Sequence, residues 1–401
     1  MKLLKTLLLI STFLPCFAEV DFRNHPQFVD KIEFFYIDPT PETAKQILKE
    51  ASDLNCLDSI KGVTTALAKE YPSSIVGWMS DGGFTYDCQT SLVNSLYFAG
   101  LQEQAIQTAL EAHWPAQTIA SFRIKPEPVL NLSPNFPGIA QFMSDHFYIT
   151  GDARYVKKII NLLEPTPTDF KNPNHFNQSK QETLALLKEL AFKHHRVYTL
   201  LLKESKQKTG QVKKDLTLLL DELHDLHKKN LFEGDGMFRG TILVTDDLDF
   251  DRKWEEMPMM SGPFGHPISS IPYPMEETSV MIYMLFTGAD LDDNLNTHVT
   301  CDVEVFSPDK TKIYEDHDIP AISKKTPSRF FVQKVEKSIG IKLQPYKKGC
   351  EKFYSTGIYT IQATLKDHIS QKEITLQQSF ELLSNETIDA ILQSSRGAPS
   401  T

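Results

Sequence analysis

The 401-residue sequence contains no GxSxG, HExxH, GxxxxGK[ST] or GxGxxG pattern. Those patterns mark a strained serine nucleophile, a helical zinc site and two kinds of phosphate-binding turn, so the familiar local signatures of hydrolase, metalloprotease and nucleotide chemistry are missing. Positive charge is not in excess: 42 Lys and Arg stand against 52 Asp and Glu, a net of −10. No general electrostatic grip on nucleic acid or an anionic membrane is expected, and no nucleic-acid partner. Cysteine is scarce, five in all, and no two stand at CxxC spacing, which excludes a zinc ribbon or a CxxC redox motif. Past the N-terminal leader no run reaches 18 apolar residues, so no stable membrane insertion is expected after the leader is removed. What remains is 41% hydrophobic and 23% charged, a globular composition, at a length that suggests two or three domains.

The leader, MKLLKTLLLISTFLPCFA (residues 1–18), reads as a signal peptide. Lys2 and Lys5 give it a basic start, Leu7 to Leu14 an apolar run too short to span a bilayer, and Ala18 a small residue for cleavage before Glu19. The expected destination is the periplasm or the cell exterior. Cys16 leaves with the leader, and Cys56, Cys88, Cys301 and Cys350 remain. Four cysteines allow three pairings; pairing within each half gives Cys56–Cys88 and Cys301–Cys350, which an oxidising compartment would permit. Buried free thiols are the alternative.

From about residue 38 to 230 the apolar residues recur at helical steps. Thr40 is placed to cap a helix whose first turn Pro41 suits, and Ala44, Ile47, Leu48 and Ala51 then fall on one face. Further helices are predicted over 60–70, from Leu92 to Ala99 with Gly100 as a stop, and from Glu103 to Ala112. Asp152 caps another, in which Tyr155, Val156, Ile159, Ile160 and Leu163 form an apolar stripe before Pro165. The stretches 182–203 and 215–228 read as two more. Short helices broken by Gly and Pro predict an array of helical hairpins, with no fixed repeat that would name a solenoid.

After Phe232 the period changes to two. Strands are predicted over 241–245, 279–286 (apolar on both faces), 298–306, 339–343, 359–365 and 374–382, with Val299, Cys301, Val303 and Val305 on one face of the third. Half-buried strands separated by polar turns such as Ser307-Pro308-Asp309-Lys310 argue for an antiparallel β-sandwich. The expected fold class is therefore multi-domain: a signal peptide (1–18), an all-α helical-hairpin domain (19–232), a β-sandwich domain (233–385) and a flexible tail (386–401).

Phe35-Tyr36 with Pro39, the segment Phe147-Tyr148-Ile149-Thr150-Gly151-Asp152-Ala153-Arg154-Tyr155-Val156, and the strand and turn from Val303 to Pro308 resemble exported bacterial proteins of unassigned function. In these a helical N-terminal domain precedes an immunoglobulin-like periplasmic β-sandwich. Gly340 to Pro345, Gly357-Ile358-Tyr359-Thr360-Ile361, Asp367 and the last strand ending Phe380-Glu381-Leu382 carry the sandwich part. The resemblance covers most of the mature chain in separate pieces and brings no catalytic residues. Tyr346 to Ser355, with Cys350 and three lysines, departs from the sandwich pattern.

Candidate chemistry is thin. Asp221, His224 and His227 can share a helix face, and imidazole with carboxylate would suit zinc. Against this, Leu216, Leu219, Leu220, Leu223 and Leu226 already define a buried stripe and leave the histidines near the wet face. His194-His195 is a fainter metal candidate. Gly77-Trp78-Met79-Ser80-Asp81-Gly82 is one residue too long for a nucleophile elbow and reads as a turn between helices. The acidic runs Asp246–Asp251 and Asp290–Asn296 could in principle hold calcium, but lack the EF-hand pattern and read as charged turns. Met257 to Pro267, rich in Met, Pro and Gly, is either a partner-binding loop or one draped over the domain seam. No cofactor is implied. The expected role is a non-catalytic interaction protein with a protein partner; the alternatives are a secreted hydrolase with an interdomain site and a carbohydrate- or metal-binding accessory protein.

Overall fold

The structure is a computed structural model, and it describes residues 25–57, 59–80, 83–133, 138–165, 173–228, 232–234, 236–256, 270–272, 278–322, 325–343 and 356–383. The leader, the loop 257–267, Cys350 and the tail 386–401 lie outside the described residues. An N-terminal helical region is followed by mostly antiparallel sheets. Contacts gather the chain into two compact units, Met1–Ile159 and Ile160–Thr401. The boundary expected near residue 232 marks the change of secondary structure, whereas three long helices before it belong to the compact unit that holds the strands.

Unit 1 is built from short helices: α1 (Pro26–Glu33), α2 (Pro41–Asp53), α3 (Lys61–Glu70), α4 (Pro72–Ser80), α5 (Tyr86–Phe98), α6 (Gln102–Glu111), α7 (Ala116–Ser121), α8 (Ile139–Thr150) and the start of α9 (Ala153–Asn161). Their ends follow local chemistry. Thr40 caps α2 by accepting the Thr43 N–H at 3.1 Å, with Pro41 in the first turn, and Ala44, Ile47, Leu48 and Ala51 are all buried as their spacing predicts. Asp152 accepts the Arg154 N–H at 2.9 Å to start α9, and Tyr155, Val156, Ile159, Ile160 and Leu163 are buried. Three helices stop in the same way. Asn55, Gly100 and His113 take left-handed backbone angles, and the next residue's N–H returns to a carbonyl five positions back: Cys56 to Ala51, Leu101 to Leu96, Trp114 to Ala109. Gly100 is legible as a stop; Asn55 and His113 are left-handed at residues where that is tolerated but not announced. The segment Gly77–Ser80 is not a turn. It lies in α4, where the Ser80 hydroxyl donates to the Val76 carbonyl at 3.0 Å, so that serine is spent on its own helix.

Unit 2 opens with α10 (Pro173–Lys193), α11 (His195–Gln207) and α12 (Gly210–Lys228). The strands follow: β1 (Arg239–Thr245), β2 (Ser270–Pro272), β3 (Thr278–Thr287), β4 (Val299–Phe306), β5 (Lys312–Pro320), β6 (Gln333–Lys334), β7 (Ile339–Leu343), β8 (Gly357–Asp367) and β9 (Lys372–Leu383), with α13 (Phe250–Glu256) after β1. One sheet places β3 between β1 on one side and β6 and β7 on the other; the second runs β2-β9-β8-β4-β5, antiparallel except for the short β2–β9 pair. Burial alternates strictly along β4, so Val299, Cys301, Val303 and Val305 point inward. Tyr359, Ile361, Ala363 and Leu365 of β8 join them with Leu376, Phe380 and Leu382 of β9, and Val280, Ile282, Met284 and Phe286 of β3 complete one continuous apolar core shared by both sheets. β5 was not anticipated because its sequence, KIYEDHDIP, is charged and its residues are mostly exposed. The alternation rule reads a half-buried strand and is blind to an edge that faces water on both sides.

Candidate functional site

In unit 2 a polar junction forms where α10, α11 and α12 meet the segment Thr326–Phe331. Periodicity over 182–203 predicts one helix, but the chain breaks at His194. The break has a cause: the His195 N–H donates to the Pro327 carbonyl at 2.6 Å, and the Ser328 hydroxyl donates to the Phe192 carbonyl. A single loop thus supplies a partner to the last turn of α10 and to the first turn of α11, groups that a helix end leaves unsatisfied. Phe330 stacks on Phe192 with ring centroids 5.4 Å apart and meets Tyr198 edge-on at 5.3 Å.

Arg329 locks the loop to the end of β3. Its guanidinium donates to the Gly288 carbonyl at 2.6 Å, pairs with Asp290 at 2.7 Å and lies 5.8 Å above the Tyr198 ring. Thr287 donates its hydroxyl to the Phe330 carbonyl at 3.0 Å. The histidines are spent on the same brace. His224 Nε2 and the Tyr198 hydroxyl share a hydrogen bond of 2.9 Å, and His227 Nε2 donates to the Met237 carbonyl at 2.7 Å. Gly288 permits that last contact: it is left-handed (φ 77°), and a Cβ there would stand 1.6 Å from the Met237 oxygen. Burial pulls His194 down to about 3, helped by the charge of Lys193, and pulls His195 down to about 4, helped by Arg329. Burial likewise lowers His227. These imidazoles are neutral at ordinary pH. His195 Nδ1 is buried without a hydrogen-bond partner among the described residues.

The expected metal set is therefore not assembled. Asp221 is exposed, while His224 and His227 use their Nε2 atoms on Tyr198 and on a backbone carbonyl. Leu226 is 48% exposed and His227 only 2%, the reverse of the expected stripe, because the α12 face that meets the sheet end needs a polar group for the Met237 carbonyl. Among the described residues no three His, Cys, Asp or Glu gather as a metal site.

The acidic runs are committed as well. Asp247 accepts the Asp249 N–H at 3.1 Å and pairs with Lys253 at 2.6 Å, closing a turn just before α13; Asp251 bonds Lys334. Asp292 accepts the N–H groups of Asn294 and Asn296, both at 2.9 Å, and lies 3.1 Å from His298. Those bonds, led by the Asn296 N–H, hold its carboxyl down to about 2. Asp247 and Asp292 each close a turn of their own run. Asp290 and Arg329 are the residues that sequence reasoning missed as a pair; the available signal was an arginine set before Phe330-Phe331, two anchors that drag it inside.

At the outer edge of the second sheet, β5 presents a groove of about 480 Å³ lined by Asp316, His317, Asp318, Ile319, Pro320, Glu336 and Lys337. Two register shifts against β4 and a left-handed Asp318 (φ 53°) kink this strand. Cys56, Cys88 and Cys301 are buried free thiols here, and the pairing partner expected for Cys301 lies outside the described residues. No helix among the described residues is long and apolar enough to cross a membrane.

No family model matches the chain, and no curated protein does. Among solved structures it is similar to a family 123 glycoside hydrolase from Clostridium perfringens, described in the context of glycolipid glycan hydrolysis. Identity is 14%, over 37% of this chain and 27% of that one, with a TM-score of 0.20. The chain spans about a quarter of that enzyme's length, and a likeness this slight carries neither fold nor activity to it.

Proposed function

We propose that the protein is exported by its N-terminal leader and works in the periplasm or outside the cell as a non-catalytic binding protein for another protein. Unit 2 serves in this reading as an immunoglobulin-like sandwich braced by three helices. The observation that supports it is the commitment of the side chains best suited to chemistry. His224, His227, Ser328, Asp290 and Arg329 are bonded to one another's elements, and this builds rigidity into the helix–sheet junction. A nucleophile or general base must instead be free to meet a substrate. The exposed edge β5 is the surface this frame presents. Among the described residues β5 ends its sheet, which suits strand addition, while its charges and register shifts discourage indiscriminate pairing.

The test places a photo-crosslinking residue at Ile313, exposed on β5, and a second at Leu248, exposed before α13. Full-length protein carrying either probe is irradiated in the exported fraction. One discrete adduct from the Ile313 probe, absent with the Leu248 probe, supports the binding role. Equal background from both, together with turnover of glycoside, ester or peptide substrates by the purified protein, overturns it.

A further inference from the structure

We propose that the segment received at the β5 edge is extended and basic, with a lysine or arginine of the partner protein seated between Asp318 and Glu336. This deepens the binding role proposed above and rests on it. Among the described residues β5 ends its sheet, and the backbone sets the limits of its open edge. Past Ile319 the edge is already used: the Pro320 carbonyl accepts the Glu336 N–H at 2.9 Å, and the Ile322 N–H donates to the Lys334 carbonyl at 3.1 Å. An added strand therefore runs beside Lys312–Ile319 and meets Glu336 at its end. The main-chain bonds of such a strand are blind to sequence, so side chains set the choice.

The groove at that end shows what it accepts. The pairs Val303–Asp316 and Val305–Tyr314 turn Tyr314 and Asp316 to the same side as the core valines. There Lys337 lies 5.8 Å over the Tyr314 ring and bonds Asp316, a bond that leads the forces holding the Asp316 carboxyl below its ordinary range. An ammonium group of the chain itself thus already sits on an aromatic face beside a carboxylate. Two further carboxylates line the same groove, those of Asp318 and Glu336. Both residues are exposed, and neither carboxylate holds a hydrogen bond or an ion pair among the described residues. Lys366 feels the charge of Asp318 but is bonded to Asp302 at 2.6 Å. The Asp318 N–H donates to Asp302 Oδ1 at 2.9 Å, which fixes the main chain that carries the free acid.

Charge then selects the partner. β5 carries Glu315, Asp316 and Asp318 against Lys312, and Lys312 is taken by Glu304 at 2.6 Å and Glu315 at 2.9 Å. A second copy adding its own β5 would bring these acids toward one another, and like charges across a ladder are destabilising. A basic strand gains twice: attraction steers its approach, and its cation in the groove neutralises the two free acids.

The experiment uses full-length protein and fluorescent peptides of alternating valine and lysine, with glutamine or glutamate replacing every lysine as controls. Anisotropy should show the lysine peptide binding, and less so as salt is added; the glutamine peptide should bind more weakly and the glutamate peptide not at all. Asp318→Asn and Glu336→Gln should each lower the affinity about threefold, the size of an exposed ion pair, and their combination should lower it further. Asp293→Asn, which removes an exposed acid elsewhere in unit 2, should leave it unchanged. Asparagine tolerates the left-handed angle of residue 318 as aspartate does, so the loss reports charge and not folding. Hydrogen exchange should place the added protection on Lys312–Ile319. Equal affinity for the lysine and glutamine peptides, or a double variant that binds as the wild type does, overturns the proposal. So does an adduct at the Ile313 probe whose linked partner segment lacks lysine and arginine, an outcome that leaves the binding role itself standing.

Discussion

On α8 of unit 1, Asp145 and His146 are buried side by side in sequence; at the junction of unit 2, His194, His195 and His227 are buried around Arg329. Asp145 accepts from Gln141 at 2.9 Å and from the Gly62 N–H, yet burial outweighs both bonds and pushes it up to about 7. His146 is pulled down to about 4 by burial, against its bond to the Phe142 carbonyl at 2.9 Å. Unit 1 thus buries an acid that keeps its proton and a base that refuses one, whereas His194, His195 and His227 of unit 2 are all shifted the same way. The difference teaches that pH acts on the balance of buried groups and not on their number. Opposed groups offset each other across a shared window, and like groups add.

Removing Arg329 breaks the comparison most severely, because it strips the junction of the cation that ties the Thr326–Phe331 loop to the end of β3. Arg329→Ala leaves Asp290 and the Gly288 carbonyl without their partner and takes a cation off Tyr198. Breaking a buried pair costs 3–5 kcal/mol; with Asp290 partly exposed, about 3 kcal/mol is expected. Hydrogen exchange should locate the loss in peptides from α10 to α12 and β3, leaving α2 to α8 protected. Loss spread evenly over both units would sink the brace.

Next in size is Gly62→Ala in unit 1. A Cβ there stands 2.5 Å from the Cβ and from Oδ2 of Asp145, and the backbones of α3 and α8 must separate to admit it. Overpacking of this kind costs about 2 kcal/mol. Denaturant unfolding should show it as a lower midpoint confined to unit 1, and Asp145→Gly in the same chain should recover part of it.

The pH dependence sharpens the contrast. Asp145, raised above its ordinary 3.8, contributes stability that is complete below about pH 4 and gone once pH passes about 7. His146, lowered from 6.5, contributes stability that is complete above 6.5 and lost as pH falls toward about 4. Between pH 4 and 6.5 these slopes oppose, so unit 1 should be nearly flat with respect to this pair. Asp145→Asn should unmask the histidine, making unit 1 gain stability with rising pH, by at most about 1.4 kcal/mol per unit. In unit 2 the Asp290 charge offsets only part of the fall at His195, and stability should drop as pH falls below 6.5 toward 4 and 3. Peptide-resolved exchange at pH 4.5 and 7 should show unit 2 opening first; unit 1 opening first contradicts the assignment.

Much of this architecture is legible in the sequence, and the reasons divide cleanly. Helices whose ends carry Thr40, Asp152 or Gly100 are readable because the cap is a local bond between near neighbours. Strands β4 and β8 are readable because one face is wholly buried. The break at His194 is not, since its cause is the Pro327 carbonyl, more than a hundred positions away and silent in any local period. The fate of the histidines on α12 follows the same rule: which of Leu226 and His227 turns inward depends on a carbonyl at Met237 that no helical wheel contains.

The smallest expected effect concerns metal. For Asp221, His224 and His227 to bind zinc, His227 must give up a 2.7 Å bond to Met237 and His224 its bond to Tyr198, and Asp221 must leave the exposed face. Each bond surrendered leaves a buried partner unsatisfied, a cost of about 1–3 kcal/mol that binding must first overcome. A ligand at a hundred times its dissociation constant stabilises by only about 2.7 kcal/mol, so the gain is consumed before the fold is any more stable. Adding one to five equivalents of zinc should therefore leave the midpoint of unit 2 unchanged. A rise of several degrees that saturates at one equivalent, and disappears in His224→Gln, would show that the junction yields its histidines to an ion and that the brace is weaker than its geometry implies.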